Sequence, residues 1–267
     1  MRSYNLSLRI KHQVLTNHSC EFMNEQYSPT LPEHGLDKEP TPIARITFSR
    51  HGETGYTDIY PDITEDAIKR AENKGAAITG DKGAPDIIIH SPMVRAKGTA
   101  DAIATGVQNT EGATVVMRES QYIRMSDIPD RQKAREAFEA LGSQEEVARH
   151  HHIEGGVFTQ KEMIETPESK RVRLYRSLEY LVRSIEKGEK KNPHIVVVSH
   201  YELVSLLLTD IFGDLQTTFG QYNTPSFGEH VDVTLLETDR PDTVTIKVEY
   251  DGKMGQRDFD RTSRSFI

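Results

Sequence analysis

The chain has 267 residues, enough for one large domain with a full hydrophobic core, and its formal net charge is -8. This acidic balance argues against a nucleic-acid-binding protein, since such proteins normally present a basic face. A single cysteine excludes an intramolecular disulfide, and no stretch approaches the roughly 20 apolar residues of a membrane span, so we expect a soluble cytoplasmic protein without a membrane partner.

Residues 1–42 are expected to form a flexible N-terminal extension, followed by one folded domain over residues 43–267. The second half of the extension is polar, rich in Pro, Glu and His, and has no sustained hydrophobic period. Its beginning alternates apolar and polar residues, which differs from the unbroken apolar segment of a signal peptide. The folded part of the chain is therefore expected to start with the first apolar run after the extension.

From that run onward, short apolar stretches alternate with amphipathic ones, which is typical of α/β proteins. Buried strands are predicted over residues 44–48, 86–89, 114–117 and 195–199. Helices are predicted over residues 64–79, 95–105, 166–187 and 203–212. Because such strands are joined by right-handed crossovers, this order predicts a three-layer α/β sandwich with a mostly parallel central sheet between two layers of helices.

Residues 120–165 interrupt the alternation with two charged helical pieces and are interpreted as a small helical cap insertion over the strand ends. His150, His151 and His152 lie in this cap. Adjacent histidines on a helix point in different directions, whereas metal-binding pairs are four residues apart, so we interpret the three as a surface run and not as a metal site.

Two alternating apolar segments near the C-terminus, residues 231–237 and 243–250, flank the turn sequence Arg240-Pro241-Asp242. Alternation with a period of two is typical of half-buried strands, and the turn residues connect them directly. We therefore predict a C-terminal edge hairpin.

Basic side chains follow three of the predicted strands where each strand ends. Arg50 and His51 follow the first strand, Arg95 opens the helix after the second, and His200 follows the most apolar strand. Open α/β sheets bind ligands beyond the carboxyl ends of their strands. Guanidinium and imidazole groups near helix N-termini suit a tetrahedral oxyanion. The sequence thus predicts a phosphoryl-transfer site that needs no metal or other cofactor.

These motifs resemble those of the histidine phosphatase superfamily, which has the phosphoglycerate mutase-like fold. The sequence Arg50-His51-Gly52-Glu53-Thr54 is similar to the first signature of the family. The segment from His90 to Ala100 is similar to its Ser-Pro-Leu-x-Arg-Ala-x-x-Thr-Ala element, and Val196 to His200 resembles its second histidine strand. The resemblance covers about residues 44–250 in the same order and leaves out the N-terminal extension.

The resemblance implies that His51 is the nucleophile and forms a phosphohistidine intermediate. Arg50, Arg95 and His200 would bind the phosphoryl oxygens, and His200 would take part in catalysis by stabilising the transition state. Glu119 stands where phosphatases of this family carry the acid that protonates the leaving oxygen. An acid in that place lowers the barrier because an alkoxide is a poor leaving group.

The chain also departs from the family pattern around the site. Thr57 stands where the family often has Asn, so its hydroxyl would donate one hydrogen bond to the substrate phosphate. Tyr201 stands where the family usually has Gly, and together with His90 it is expected to contribute to substrate specificity. Glu202 adds a negative charge, which is unfavourable near a phosphate unless the side chain faces away.

The resemblance implies a metal-independent phosphatase that hydrolyses a phosphomonoester, with a small phosphorylated substrate as its partner. A phosphoglycerate mutase-type phosphotransferase is the first alternative, although the loop over residues 54–62 lacks a Trp-Asn pair. The second alternative is a non-catalytic module that binds phosphorylated ligands, suggested by Tyr201, Thr57 and the long extension. The natural substrate stays open, and so does a homodimer.

Overall fold

The computed structural model describes residues 40–55, 62–152, 156–159 and 164–267 of the chain. The predicted flexible extension therefore lies, up to residue 39, outside the described residues. The strands and α-helices of the described ranges are, in chain order, β1 (Pro42–Arg50), α1 (Glu65–Lys82), β2 (Ile87–His90), α2 (Val94–Glu111), β3 (Val116–Glu119), α3 (Arg131–Leu141), α4 (Gln144–His152), α5 (Pro167–Lys187), β4 (His194–Ser199), α6 (Tyr201–Phe212), α7 (Leu215–Phe219), β5 (His230–Glu237), β6 (Thr243–Tyr250), β7 (Lys253–Asp260) and β8 (Ser265–Phe266).

The strands form a single mixed sheet in the order β3-β2-β4-β1-β5-β6-β7-β8. The first four strands of this order run parallel, as predicted, but β5 pairs antiparallel with β1 and the remaining strands are antiparallel as well. The prediction of a mostly parallel sheet is therefore wrong. The physical reason lies in the connections, because β5 to β8 are joined by short turns, and short turns join only antiparallel strands.

The predicted C-terminal edge hairpin exists as the β5–β6 pair, but it does not form the edge of the sheet. Strand β5 lies between β1 and β6, and β7 and β8 extend the sheet beyond β6. Strand β7 reads Lys-Met-Gly-Gln-Arg-Asp-Phe-Asp, and only Phe259 in it is buried. A strand with so little apolar patterning gives no sequence signal of its own.

Helices cover both faces of the sheet, which accounts for the unbroken apolar run in β4. Val196 and Val198 pack into the cluster formed with α1 and α2, whereas Ile195 and Val197 pack into the cluster formed with α5 and α6. The strand is thus buried on both sides, as parallel strands between two helical layers are. Across the described ranges, no helix combines the length and the apolar composition needed to cross a bilayer.

The helix starts in the sequence were readable because their capping residues are local signals. The Thr64 hydroxyl accepts a hydrogen bond from the Ala67 N–H at the start of α1, and the Thr166 hydroxyl accepts one from the Ser169 N–H before α5. The cap contains two helices as predicted, and the Asp130 carboxylate caps α3 by accepting from the Lys133 N–H. These three capping hydrogen bonds fix the residues at which α1, α5 and α3 begin.

Candidate active site

His51 lies directly after β1, and its ring is held so that one nitrogen keeps a lone pair. Its Nδ1–H donates to the carbonyl of Gly52 at 2.7 Å, which places the ring hydrogen on Nδ1. Nε2 then accepts a hydrogen bond from Arg95 Nε at 3.1 Å. A neutral imidazole carries a proton on one nitrogen and a lone pair on the other. Nε2 of His51 therefore carries the lone pair that a nucleophile needs, and in this structure that lone pair accepts the hydrogen bond from Arg95.

The glycine of this motif is required by close packing at the same point. A Cβ on residue 52 would lie 2.9 Å from the Cβ of Ala67 in α1, closer than real contacts allow. The N–H of Gly52 donates to the Thr99 hydroxyl of α2 at 2.8 Å. The loop that carries His51 is thus packed between the first turn of α1 and the second turn of α2.

The two site histidines are kept neutral by their surroundings. Burial, together with the positive charges of Arg95 and Arg50, lowers the pKa of His51 to about 3. Burial also lowers the pKa of His200 well below its usual range, with His51 and Arg95 acting in the same direction. Both rings are therefore uncharged at neutral pH, the state that a nitrogen nucleophile needs.

This electrostatic arrangement predicts an absence of titration near neutrality. The imidazole C–H resonances of His51 and His200 should not move between about pH 5 and 8, whereas an ordinary histidine titrates near pH 6.5. The test is a proton–carbon NMR titration with assignments from the His51→Asn and His200→Asn spectra. A titration midpoint near pH 6.5 for either ring would contradict the conclusion that both rings are neutral at pH 7. Since the unfolded chain takes up these protons at higher pH, the fold should also lose stability as the pH falls below about 6.5.

His200 lies opposite His51 and completes a polar pocket. The two ring centroids are 5.1 Å apart in an edge-on arrangement, and His200 Nε2 is hydrogen-bonded to the Ser91 hydroxyl at 2.8 Å. His200 Nδ1 is buried and has no hydrogen-bond partner among the described residues. A buried ring nitrogen of this kind is costly unless something binds it, and an oxygen of a bound anion could be its partner.

Arg50 is buried between two aromatic rings. Its Cζ lies 3.8 Å from the centroid of Phe227 and 5.0 Å from that of Tyr201. Nη1 donates to Asn223 Oδ1 at 3.0 Å and to the Pro225 carbonyl at 2.8 Å. Stacking and directional hydrogen bonds fix a guanidinium plane more firmly than a flexible ammonium could be fixed.

A cavity of about 520 Å³ opens at this point. Arg50, His51, Arg95, His200 and Tyr201 line it, so the structure brings five of the predicted site residues together around one space. The cap contributes the far side of the cavity through residues of α3, α4 and the segment before α5. The volume is in the range of small-molecule sites and exceeds what a phosphate group alone would fill.

The arrangement agrees with what comparison with known proteins finds. A sequence profile described as the histidine phosphatase superfamily (branch 1) matches residues 46–248, which include every element that positions the cavity histidines. The chain belongs to the histidine phosphatase superfamily. A search of curated protein sequences finds none that matches this chain.

Solved structures similar to this chain share its fold at low sequence identity. A structure titled mycobacterial hydrolase 2 has a TM-score of 0.58 and 16% identity, covering 80% of this chain and 92% of that one. Mycobacterial hydrolase 1 has a TM-score of 0.52 and 17% identity, covering 72% and 92%. The native mycobacterial glucosyl-3-phosphoglycerate phosphatase has a TM-score of 0.50 and 19% identity, covering 73% and 91%.

Three other predicted site residues are not among the described residues that line the cavity. Glu119 ends β3 and is exposed, with the Gln121 amide donating to its Oε1 at 3.2 Å. His90 is buried at the end of β2, where its Nδ1 donates to the Ser91 carbonyl at 2.9 Å. Thr57 lies outside the described residues. The roles assigned to these residues stay predictions.

Several residues of the cavity carried no recognisable signal in the sequence. Asn223 comes from the loop between α7 and β5 and lines the cavity beside Arg50. His151 is only 2% exposed and also lines the cavity, so its interpretation as part of a surface run is wrong. The cause is tertiary packing, because the His151 ring stacks on Phe158 at 4.6 Å within the cap.

His151 is also tied to a buried lysine. Lys170 of α5 is 1% exposed, and its Nζ lies 3.0 Å from His151 Nδ1. Burial lowers the pKa of Lys170 to about 8, while the charges of Glu202 and Glu165 act in the opposite direction. The ammonium therefore stays mostly protonated at neutral pH and donates to Nδ1. Glu202, whose charge was expected to be unfavourable near a phosphate, is 8% exposed and lines the cavity. The positive charge of Lys170 offsets the negative charge of Glu202.

Proposed function

We propose that this histidine phosphatase hydrolyses a phosphomonoester without a metal ion, through a phosphohistidine intermediate on His51. The observation that carries the proposal is the state of His51, a neutral ring whose Nε2 lone pair lies at a cavity that Arg95, Arg50 and His200 also line. These groups would neutralise the phosphoryl oxygens during transfer, which is the main catalytic demand of phosphoryl transfer.

The reaction balances in two steps. Nε2 of His51 attacks phosphorus as the bond from phosphorus to the leaving oxygen breaks, and a general acid, assigned by the family resemblance to Glu119, gives its proton to the departing alcohol. The resulting carboxylate then takes a proton from a water molecule as that water attacks the phosphohistidine, the nitrogen–phosphorus bond breaks, and inorganic phosphate leaves. Glu202 is the buried carboxyl that lines the cavity, whereas the assignment of the acid to Glu119 remains the prediction made from the family resemblance.

Metal removal tests this proposal. The wild type should hydrolyse 4-nitrophenyl phosphate at the same rate with and without EDTA, since the charge stabilisation comes from Arg50, Arg95 and the two histidines. Phosphate release is measured directly in both conditions. Loss of turnover in EDTA that added Mg²⁺ restores would contradict the metal-free mechanism. Absence of turnover together with absence of phosphate binding would contradict the proposed function as a whole.

A further inference from the structure

Four aromatic rings of the cap and of α6 contact one another in series beside the cavity. The Phe138 and Phe158 rings lie 5.1 Å apart, His151 stacks on Phe158 at an interplanar angle of 22°, and Tyr201 meets His151 edge-on at 5.8 Å. Phe138, His151 and Tyr201 all line the cavity. Tyr201 also contacts the guanidinium of Arg50. The lining rings of Phe138, His151 and Tyr201, here called the aromatic wall, therefore extend from α3 to the end of the cavity that holds Arg50 and Arg95, here called the phosphate-binding end.

Aliphatic side chains complete the wall and make it mostly apolar. They are Met125, Ile128, Val147 and Ile164. Such a surface gains free energy by burying apolar area but offers few hydrogen bonds. Aromatic side chains also prefer offset or edge-on contacts with other rings. A flat aromatic group on the substrate would match the wall in both respects.

The charges of the described lining residues are arranged unfavourably for a second anionic group. Both lining arginines belong to the phosphate-binding end, where Arg95 bonds His51 and Arg50 bonds Asn223. The other charged lining residues described are the carboxylates Glu139 and Glu202. Away from Arg50 and Arg95, no cation among the described lining residues would pair with a carboxylate or a second phosphate on the substrate, so burying such a group there would be unfavourable.

Two cations near the wall do not change this conclusion. Arg135 pairs with Glu139 at 2.9 Å on the surface of α3 and is not among the described cavity-lining residues. Lys170 is buried behind His151, bonded to its Nδ1, and is not a lining residue either.

We propose that the substrate is the phosphate monoester of an aromatic alcohol without a second anionic group, with its ring against Phe138, His151 and Tyr201. This inference rests on the proposed function. A substrate of this kind would also need little help from Glu119, which is exposed and is not among the described lining residues. A phenol has a pKa of about 10, so a phenolate leaves with less help from an acid than an alkoxide does.

Phosphonates are not hydrolysed, so they report how well the cavity binds the alcohol group of a substrate independently of how well that group leaves. Calorimetry on the full chain should compare benzylphosphonate, propylphosphonate, 3-phosphonopropionate and inorganic phosphate. Benzylphosphonate should bind most tightly, about tenfold better than the carboxylated 3-phosphonopropionate. In Phe138→Ala the ratio of benzylphosphonate affinity to inorganic phosphate affinity should fall. Tyr180→Ala removes a 61% exposed ring on α5 that does not line the cavity, and it should leave the ratio unchanged.

Two results would overturn this inference alone. The first is tighter or equal binding of 3-phosphonopropionate by a wild type that does hydrolyse phosphomonoesters. The second is an unchanged affinity ratio in a folded Phe138→Ala. If inorganic phosphate and all the phosphonates fail to bind the wild type, the proposed function falls together with the inference. The wild-type comparison stands even where a variant does not fold.

Discussion

Replacing His51 with asparagine should lower kcat for any phosphomonoester substrate by at least about a thousandfold, because the reaction then has no nucleophile. Asparagine preserves a polar side chain of similar reach, but its amide nitrogen has no lone pair that could attack phosphorus. Phosphate binding should weaken far less, since Arg50, Arg95 and His200 remain. Steady-state kinetics and calorimetry with inorganic phosphate measure the two effects separately.

A matched control for this variant is His194→Asn. His194 is another buried histidine, 5% exposed, but it begins β4 at the opposite end from the site and bonds the Thr47 hydroxyl at 3.2 Å. Its replacement should change thermal stability and leave kcat near the wild-type value. A folded His51→Asn that turns over at a rate close to wild type would contradict the assignment of the nucleophile.

Replacing Gly106 with alanine should strongly destabilise the fold. Gly106 and Gly75 lie where α2 and α1 touch, and a Cβ on residue 106 would be 1.9 Å from the Glu72 carbonyl oxygen. The obstructing atoms belong to the backbone of α1, so no side-chain rotation relieves the clash. We expect a loss of about 3 kcal/mol in the free energy of unfolding, seen as a drop of roughly 10 °C in Tm by circular dichroism.

Gly80→Ala is the control, because Gly80 lies in α1, the helix that Gly106 contacts, and a Cβ there would meet nothing within 4 Å. It should raise stability slightly, by about 0.5–1 kcal/mol, as alanine is the better helix former. An unchanged Tm in Gly106→Ala would show that the helices can separate without cost. The crossing matters for the site because α2 carries Arg95 and Thr99, which contact His51 and Gly52.

The residues proposed to bind the phosphoryl group were predictable because they follow strand ends directly. Arg50, His51 and His200 each come immediately after or at the end of a strand, and β1 and β4 are parallel neighbours in the sheet. Their convergence is a consequence of local patterning together with the geometry of parallel strands. Thr64 and Thr166 were readable for a similar reason, since capping is a local interaction.

The substrate side of the cavity was not predictable, because it depends on contacts between distant segments. Asn223 reaches Arg50 across a separation of 173 residues, and Phe227 stacks on the same guanidinium from the same loop. The sequence around His151 indicates a polar surface, and only the stacking of its ring on Phe158, a contact between separate segments, accounts for its burial. Glu119 sits at a strand end as the family pattern requires, yet its exposure depends on how the segment after β3 leads into the cap.

The central claim is that His51 Nε2 becomes phosphorylated during turnover, and trapping the intermediate tests it most directly. Wild type mixed with a phosphomonoester and quenched in denaturant at early times should carry one phosphoryl group, found by mass spectrometry on the peptide that contains His51. The modification should be labile to acid and stable to base, and it should be missing from His51→Asn. Phosphate release by the wild type without a phosphoryl group on His51 at any time, or with one on another residue, would contradict the account.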